Sequence, residues 1–117
     1  MTSLARAIVA SALLALPTPA PAHSLLIEST PAAKAVLSAS PPHADLRFNN
    51  RIERRLSSIA IVGPDGRRHP GTVVADSAPD RLRAALPPLP PGDYRLEWRV
   101  LSTDGHVVIG SYPFRVE

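Results

Sequence analysis

The sequence predicts an all-β domain, specifically an immunoglobulin-like antiparallel Greek-key β-sandwich of about seven strands. Two observations support this fold class. Short runs in which apolar and polar residues alternate recur along the chain, which is the pattern of half-buried strands. The chain also has 14 prolines, which interrupt most junctions between these runs and leave little room for long helices.

The clearest strand is predicted over residues 93–101. Its apolar residues all fall on one face: Tyr94, Leu96, Trp98 and Val100. We therefore expect Tyr94 and Trp98 to lie in the core. Residues 107–116 predict a second long strand, in which Pro113 indicates an edge position or a bulge.

Five shorter strands complete the prediction. They are expected over residues 25–29, 46–48, 59–61, 72–75 and 82–86. His43 and His69 lie beside prolines, and we expect both of them in solvated loops rather than among metal ligands.

The first 22 residues are predicted to be a secretory signal peptide. Residues 7–16 form an uncharged apolar run, and Ala20-Pro21-Ala22 matches an A-x-A cleavage pattern. The run is shorter than the roughly 20 residues that a bilayer span requires, which disfavours a retained anchor. We expect an exported, periplasmic domain over residues 23–117 that begins at His23.

Composition excludes several kinds of function for this mature domain. Loss of Arg6 leaves 12 basic and 10 acidic side chains, too small an excess to indicate a nucleic-acid partner. There is no cysteine, and the one methionine is Met1, so residues 23–117 contain no sulfur ligand for a metal. Any metal site must use nitrogen and oxygen.

Cleavage after Ala22 would make His23 a chelating residue. Its α-amine and its ring Nδ1 can bind one metal ion together, closing a six-membered ring. The amine has an ordinary pKa of about 7.7–8.0, so a divalent metal can displace its proton near neutral pH. In the precursor this nitrogen is an amide and cannot serve.

A second candidate element is the turn Asp104-Gly105-His106, between the two long strands. Glycine permits a tight backbone, so the carboxylate and the imidazole can point at one centre. With His23 they offer three nitrogens and one oxygen, a donor set that suits copper(II). Taken alone, the run Asp104-Gly105-His106 is also typical of a plain hairpin turn.

Longer motifs resemble the CopC family of periplasmic copper-binding, or copper-resistance, proteins. They are Ala22-His23, Ser29–Ala32, Leu46–Asn50, Pro64–Gly66, Pro91–His106 and Gly110–Val116. The resemblance implies an immunoglobulin-like sandwich and copper(II) held by His23, Asp104 and His106. Where the family often has a glutamate near the metal, this chain has Asn50, which we expect at most in an outer-shell role.

The leading functional hypothesis is a non-enzymatic, monomeric copper(II) carrier or buffer in copper homeostasis or resistance. It would pass copper to an inner-membrane transporter or to another acceptor. Two alternatives remain open. One is a copper oxidase, because an N-terminal histidine with a second histidine resembles a histidine brace. The other is a metal-free interaction module of the same fold.

Overall fold

The computed structural model describes residues 24–75 and 78–117. In these ranges the chain forms nine strands and one 3₁₀ turn, Arg54–Leu56. The strands are β1 (Leu26–Thr30), β2 (Val36–Leu37), β3 (His43–Phe48), β4 (Ser58–Val62), β5 (Arg68–Pro70), β6 (Thr72–Val73), β7 (Arg81–Ala85), β8 (Gly92–Leu101) and β9 (Val107–Val116). No helix in the described ranges is long and apolar enough to cross a membrane.

The strands form two sheets that pack as a sandwich. One sheet has the order β1-β3-β7-β6, and the other has the order β2-β9-β8-β4-β5. All neighbours are antiparallel except β2 and β9, which pair in parallel. The predicted fold class is confirmed, and each of the seven predicted strands overlaps an observed one.

The loop predictions for two histidines are wrong. His43 is the first residue of β3, opposite Ala85, and His69 is the middle residue of β5, opposite Ile61. Both are half-buried. The adjacent prolines misled the prediction, because Pro70 is at the end of an edge strand, where a missing N–H costs no ladder hydrogen bond.

The core lies between the two sheets and is built mainly by alternation, except in β4, where Ile59, Ala60 and Ile61 are all buried. In β8, Tyr94, Leu96 and Val100 are buried, and Trp98 packs against them while half-buried, as the pattern predicts. The rings of Tyr94 and Phe114 stack with centroids 5.6 Å apart. Burial of these apolar side chains is the main source of stability in a domain without disulfides.

The hairpin of β8 and β9 is the longest element and positions the candidate site. Its ladder runs from Gly92 opposite Val116 to Leu101 opposite Val107, so the connecting loop sits at one end of the sandwich. Pro113 lies in β9, which is between β2 and β8, and its carbonyl accepts a bond from Lys34 N–H (2.6 Å). The β8–β9 register continues without a shift through the pair Arg95 and Pro113, so the prediction of an edge position or a bulge is wrong. Because β2 pairs with β9 at Arg115 and Val116, the missing N–H of Pro113 breaks no bond of that ladder.

Candidate metal site

The loop Ser102–His106 joins β8 to β9 and forms a tight turn. Ser102 N–H donates to the His106 carbonyl, and Gly105 N–H donates to the Ser102 carbonyl, both at 2.9 Å. Gly105 has a φ of +87°, a left-handed conformation that a side chain with Cβ strains. These two backbone hydrogen bonds close the loop and thereby restrict the directions of the Asp104 and His106 side chains.

Asp104 and His106, the two candidate ligands of this loop, are in contact. Asp104 Oδ1 accepts a hydrogen bond from His106 N–H at 3.0 Å, and Asp104 Oδ2 lies 3.0 Å from His106 Nδ1. The Asp104 side chain is 24% exposed and the His106 side chain 65%. The carboxylate therefore holds the imidazole in a defined orientation at the surface, which is a common arrangement around metal-binding histidines.

The start of the described chain is attached to this same loop. Ser24 is fully buried, and its N–H donates to Ser102 Oγ at 2.9 Å. The Ser102 hydroxyl donates in turn to Ser24 Oγ at 2.9 Å, and Ser24 Oγ is 3.3 Å from the Arg51 carbonyl, to which its hydroxyl donates. Ser102 is itself 1% exposed. Bonds in so buried a position are costly to break, because each lost partner leaves a desolvated polar group.

Asn49 makes a second attachment, one residue further along. Its Oδ1 accepts a bond from Leu25 N–H at 2.7 Å, and its own N–H donates to the Leu25 carbonyl at 2.9 Å. Two consecutive residues, Ser24 and Leu25, are thus tied down from both sides. The N-terminal segment is fixed next to the Ser102–His106 loop before β1 begins.

The structure treats the four candidate site residues differently. It brings Asp104 and His106 together, while His23 lies outside the described residues. Asn50 is exposed and lines a shallow cavity of about 440 Å³ with Asn49 and Asp80. The amide that contacts the N-terminal segment belongs to its neighbour Asn49, so an outer-shell role for Asn50 stays a prediction.

Sequence reasoning missed Ser24, Ser102 and Asn49. The sequence signal is weak: Ser102 begins the Ser-Thr-Asp-Gly-His run, and Asn49 directly precedes Asn50. A serine hydroxyl has no characteristic spacing that reveals a partner 78 residues away.

The local charge is mixed. A cavity of about 570 Å³ beside the loop is lined by Thr103, Glu53 and three arginines: Arg51, Arg54 and Arg55. Within residues 24–75 and 78–117 no group of three or more His, Cys, Asp or Glu side chains gathers as a metal cluster. The carboxylate and imidazole that do meet are an oxygen and nitrogen pair of the kind that copper(II) accepts.

The family model of the CopC domain matches residues 26–117 of this chain. The chain belongs to the CopC family. Copper resistance protein C of Xanthomonas campestris pv. juglandis is 36% identical, over 82% of this chain and 81% of that protein. The crystal structure of CopC from Methylosinus trichosporium OB3b shares 36% identity with a TM-score of 0.74, covering 81% of this chain and 94% of that one.

A third relative differs from this CopC-family chain in an instructive way. The crystal structure of PcoC, described as a methionine-rich copper resistance protein of Escherichia coli, matches with 29% identity and a TM-score of 0.67, covering 81% of this chain and 99% of that one. This chain shares the fold but has a single methionine, at position 1. Membership of the CopC family ties the function of this protein to copper.

Proposed function

We propose that this CopC-family protein is a periplasmic copper(II) carrier or buffer. Removal of residues 1–22 would leave His23 first, and its amine and ring would bind copper(II) together with Asp104 and His106. The protein would act as a monomer without catalysis and would deliver its ion to an acceptor such as an inner-membrane transporter.

The observation that carries this proposal is the hydrogen bond between Ser24 N–H and Ser102 Oγ. His23 is joined to Ser24 by one peptide bond, and consecutive Cα atoms are about 3.8 Å apart. Ser102 begins the loop that contains Asp104 and His106. The attachment of Ser24 therefore supports a site that joins the mature N-terminus to this loop, although the two are far apart in sequence.

The donor set supports copper(II) as the preferred ion. The amine, the two imidazoles and the carboxylate are nitrogen and oxygen donors, and copper(II) leads the divalent affinity order for such sites. Copper(I) favours thioether and thiolate sulfur, and residues 23–117 contain neither. The Asp104 carboxylate adds negative charge, which favours the higher oxidation state and argues against redox cycling.

The decisive experiment is a copper(II) titration of protein that begins at His23, followed by electron paramagnetic resonance. We expect one tight site with nitrogen ligands. His106→Ala and a variant with one alanine before His23 should each bind at least about 100-fold more weakly, because each change removes a direct ligand and loss of an outer-shell partner alone costs up to about 100-fold. His69→Ala, in β5 and away from this loop, is the matched control and should bind like the wild type.

Two results would overturn the proposal. Unchanged affinity in the alanine-extended variant would show that the amine is not a ligand. Sustained peroxide production from ascorbate and oxygen by the copper-loaded protein would favour the oxidase alternative. Mass spectrometry of the exported protein tests processing separately, with His23 expected as its first residue.

A further inference from the structure

Three buried serines lie at the end of the sandwich that holds the loop. They are Ser24, Ser57 and Ser102. The Ser57 hydroxyl donates to the Glu53 carbonyl at 2.8 Å and accepts from Leu101 N–H at 3.1 Å, so it braces the 3₁₀ turn against β8. Ser102 instead holds the N-terminal segment. The two serines have similar burial and different partners.

The backbone amide nitrogen of Ser24 is a potential ligand for copper(II). In an unstructured peptide, copper(II) bound to a terminal amine readily recruits the next backbone amide nitrogen. A five-membered chelate ring closes as that amide releases its proton to solvent. For a chain that begins at His23, the next amide is that of Ser24. It therefore competes with side-chain donors for the ion.

The structure shows that amide already engaged. Its N–H donates to Ser102 Oγ at 2.9 Å in a fully buried position, and the Ser102 hydroxyl itself donates to Ser24 Oγ. If the Ser24 amide lost its proton, its hydrogen bond to Ser102 Oγ would be lost. An anionic nitrogen would then lie beside the Ser102 oxygen. Burial makes such an unpaired charge expensive.

We propose that Ser102 is a positioning residue that keeps the Ser24 amide out of the copper coordination. This inference rests on the proposed function and deepens it. Because Ser102 Oγ holds the Ser24 amide, only His23 precedes this attachment and can bind the ion with its amine and ring. The remaining coordination positions of copper(II) are then open to Asp104 and His106. The same loop thus supplies the donors and suppresses the competing backbone nitrogen.

The backbone of the loop couples these two roles. Ser102 N–H is bonded to the His106 carbonyl at 2.9 Å, and Asp104 Oδ1 is bonded to His106 N–H at 3.0 Å. Ser102 is therefore linked to both donors, Asp104 and His106, by hydrogen bonds within the loop. Asn49 bonds to Leu25, whereas the Ser24 amide donates to Ser102 Oγ, so Ser102 is the group to test.

The test compares four variants of protein that begins at His23: Ser102→Ala, Ser102→Thr, Ser102→Val and Ser57→Ala. Threonine keeps the hydroxyl acceptor, and valine has the same shape without it. The readouts are the visible absorption maximum and the paramagnetic resonance spectrum of the copper(II) complex at one fixed pH. Thermal unfolding of the metal-free protein measures stability separately.

We expect Ser102→Ala and Ser102→Val to shift the absorption maximum to shorter wavelength and to show one additional coordinating nitrogen. Ser102→Thr should keep the wild-type spectrum. Ser57→Ala should keep it too, even if its thermal stability falls as far as that of Ser102→Ala. A difference between the threonine and valine variants supports the proposal even if the alanine variant folds poorly, because those two side chains fill the same volume.

A wild-type spectrum in both Ser102→Ala and Ser102→Val would overturn the positioning role and leave the proposed function standing. If the wild-type protein binds copper(II) no more tightly than a histidine-initiated peptide does, the proposed function itself fails, and this inference fails with it. An amide-containing spectrum in the wild type overturns only the present inference.

Discussion

At the residue scale, Asp104 has two contacts that an amide would only partly reproduce. Its carboxylate accepts from His106 N–H and faces His106 Nδ1, each at 3.0 Å. Asp104→Asn should keep the turn, since an amide oxygen can still accept the backbone bond, but it removes the negative charge. We expect copper(II) affinity to fall by about 10–100-fold, with unfolding temperature nearly unchanged. An affinity equal to the wild type would show that the charge of Asp104 has no part in binding.

The residues of the site differ in how far sequence can predict them. Asp104 and His106 are reactive types at a short spacing around a glycine, so their meeting follows from local geometry. The pairing of Ser24 with Ser102 depends on how two distant segments pack, and serine is too common to indicate it. The pairing of Asp104 with His106 was therefore predictable, whereas the attachment of Ser24 to Ser102 was not.

At the scale of elements, the β8–β9 hairpin depends on one close approach. Gly110 is opposite Trp98, and a Cβ added at Gly110 would lie 2.1 Å from Trp98 Cζ2. The Trp98 indole therefore occupies the space that the Cβ of any residue other than glycine would need at position 110. Gly110→Ala should lower the free energy of unfolding by about 1–3 kcal/mol, the usual cost of overpacking.

Chemical denaturation with fluorescence of the only tryptophan, Trp98, measures this loss. Ile109→Thr is the matched control, because Ile109 is 73% exposed in the same strand and threonine keeps the β-branch. It should change stability by no more than about 0.5 kcal/mol. Equal stability of Gly110→Ala and the wild type would mean that the indole moves aside without cost.

The elements that sequence predicted are those with enough residues to show a period. β8 and β9 each have ten residues with clear alternation. β2 has two residues, Val36 and Leu37, and exists because β9 offers it a parallel partner. β5 ends at Pro70, and a proline normally argues against a strand unless that strand lies at the edge of a sheet, as β5 does. Tertiary pairing, rather than local pattern, defines these short strands.

At the scale of the whole molecule, one buried tyrosine links the two sheets. The Tyr112 hydroxyl, in β9, donates to the Pro31 carbonyl at 2.5 Å, just beyond the end of β1 in the other sheet. The side chain is 6% exposed, and its ring lies 5.9 Å from that of Trp98. Burial raises the pKa of Tyr112 to about 12, while a hydrogen bond with Ser29 acts in the opposite direction.

This raised pKa predicts how the metal-free fold responds to alkali. An unfolded tyrosine has a pKa of about 10, so above that pH the unfolded chain loses a proton that the folded chain keeps until about pH 12. The contribution of Tyr112 to stability is therefore complete below pH 10 and is lost as the pH rises through 12. Burial also raises the pKa of Tyr94, with a further contribution from Asp65, and this effect has the same sign.

Urea denaturation of metal-free wild type and Tyr112→Phe, followed from below pH 10 to about pH 12, measures the effect. Tyr112→Phe should be less stable by about 1 kcal/mol at the lower pH, because the Pro31 carbonyl loses its partner. Its stability should then fall less steeply with pH than that of the wild type, and the raised pKa of Tyr94 contributes to the slope that remains. Parallel pH profiles for the two proteins would show that the hydroxyl linking the sheets titrates as it does in the unfolded chain.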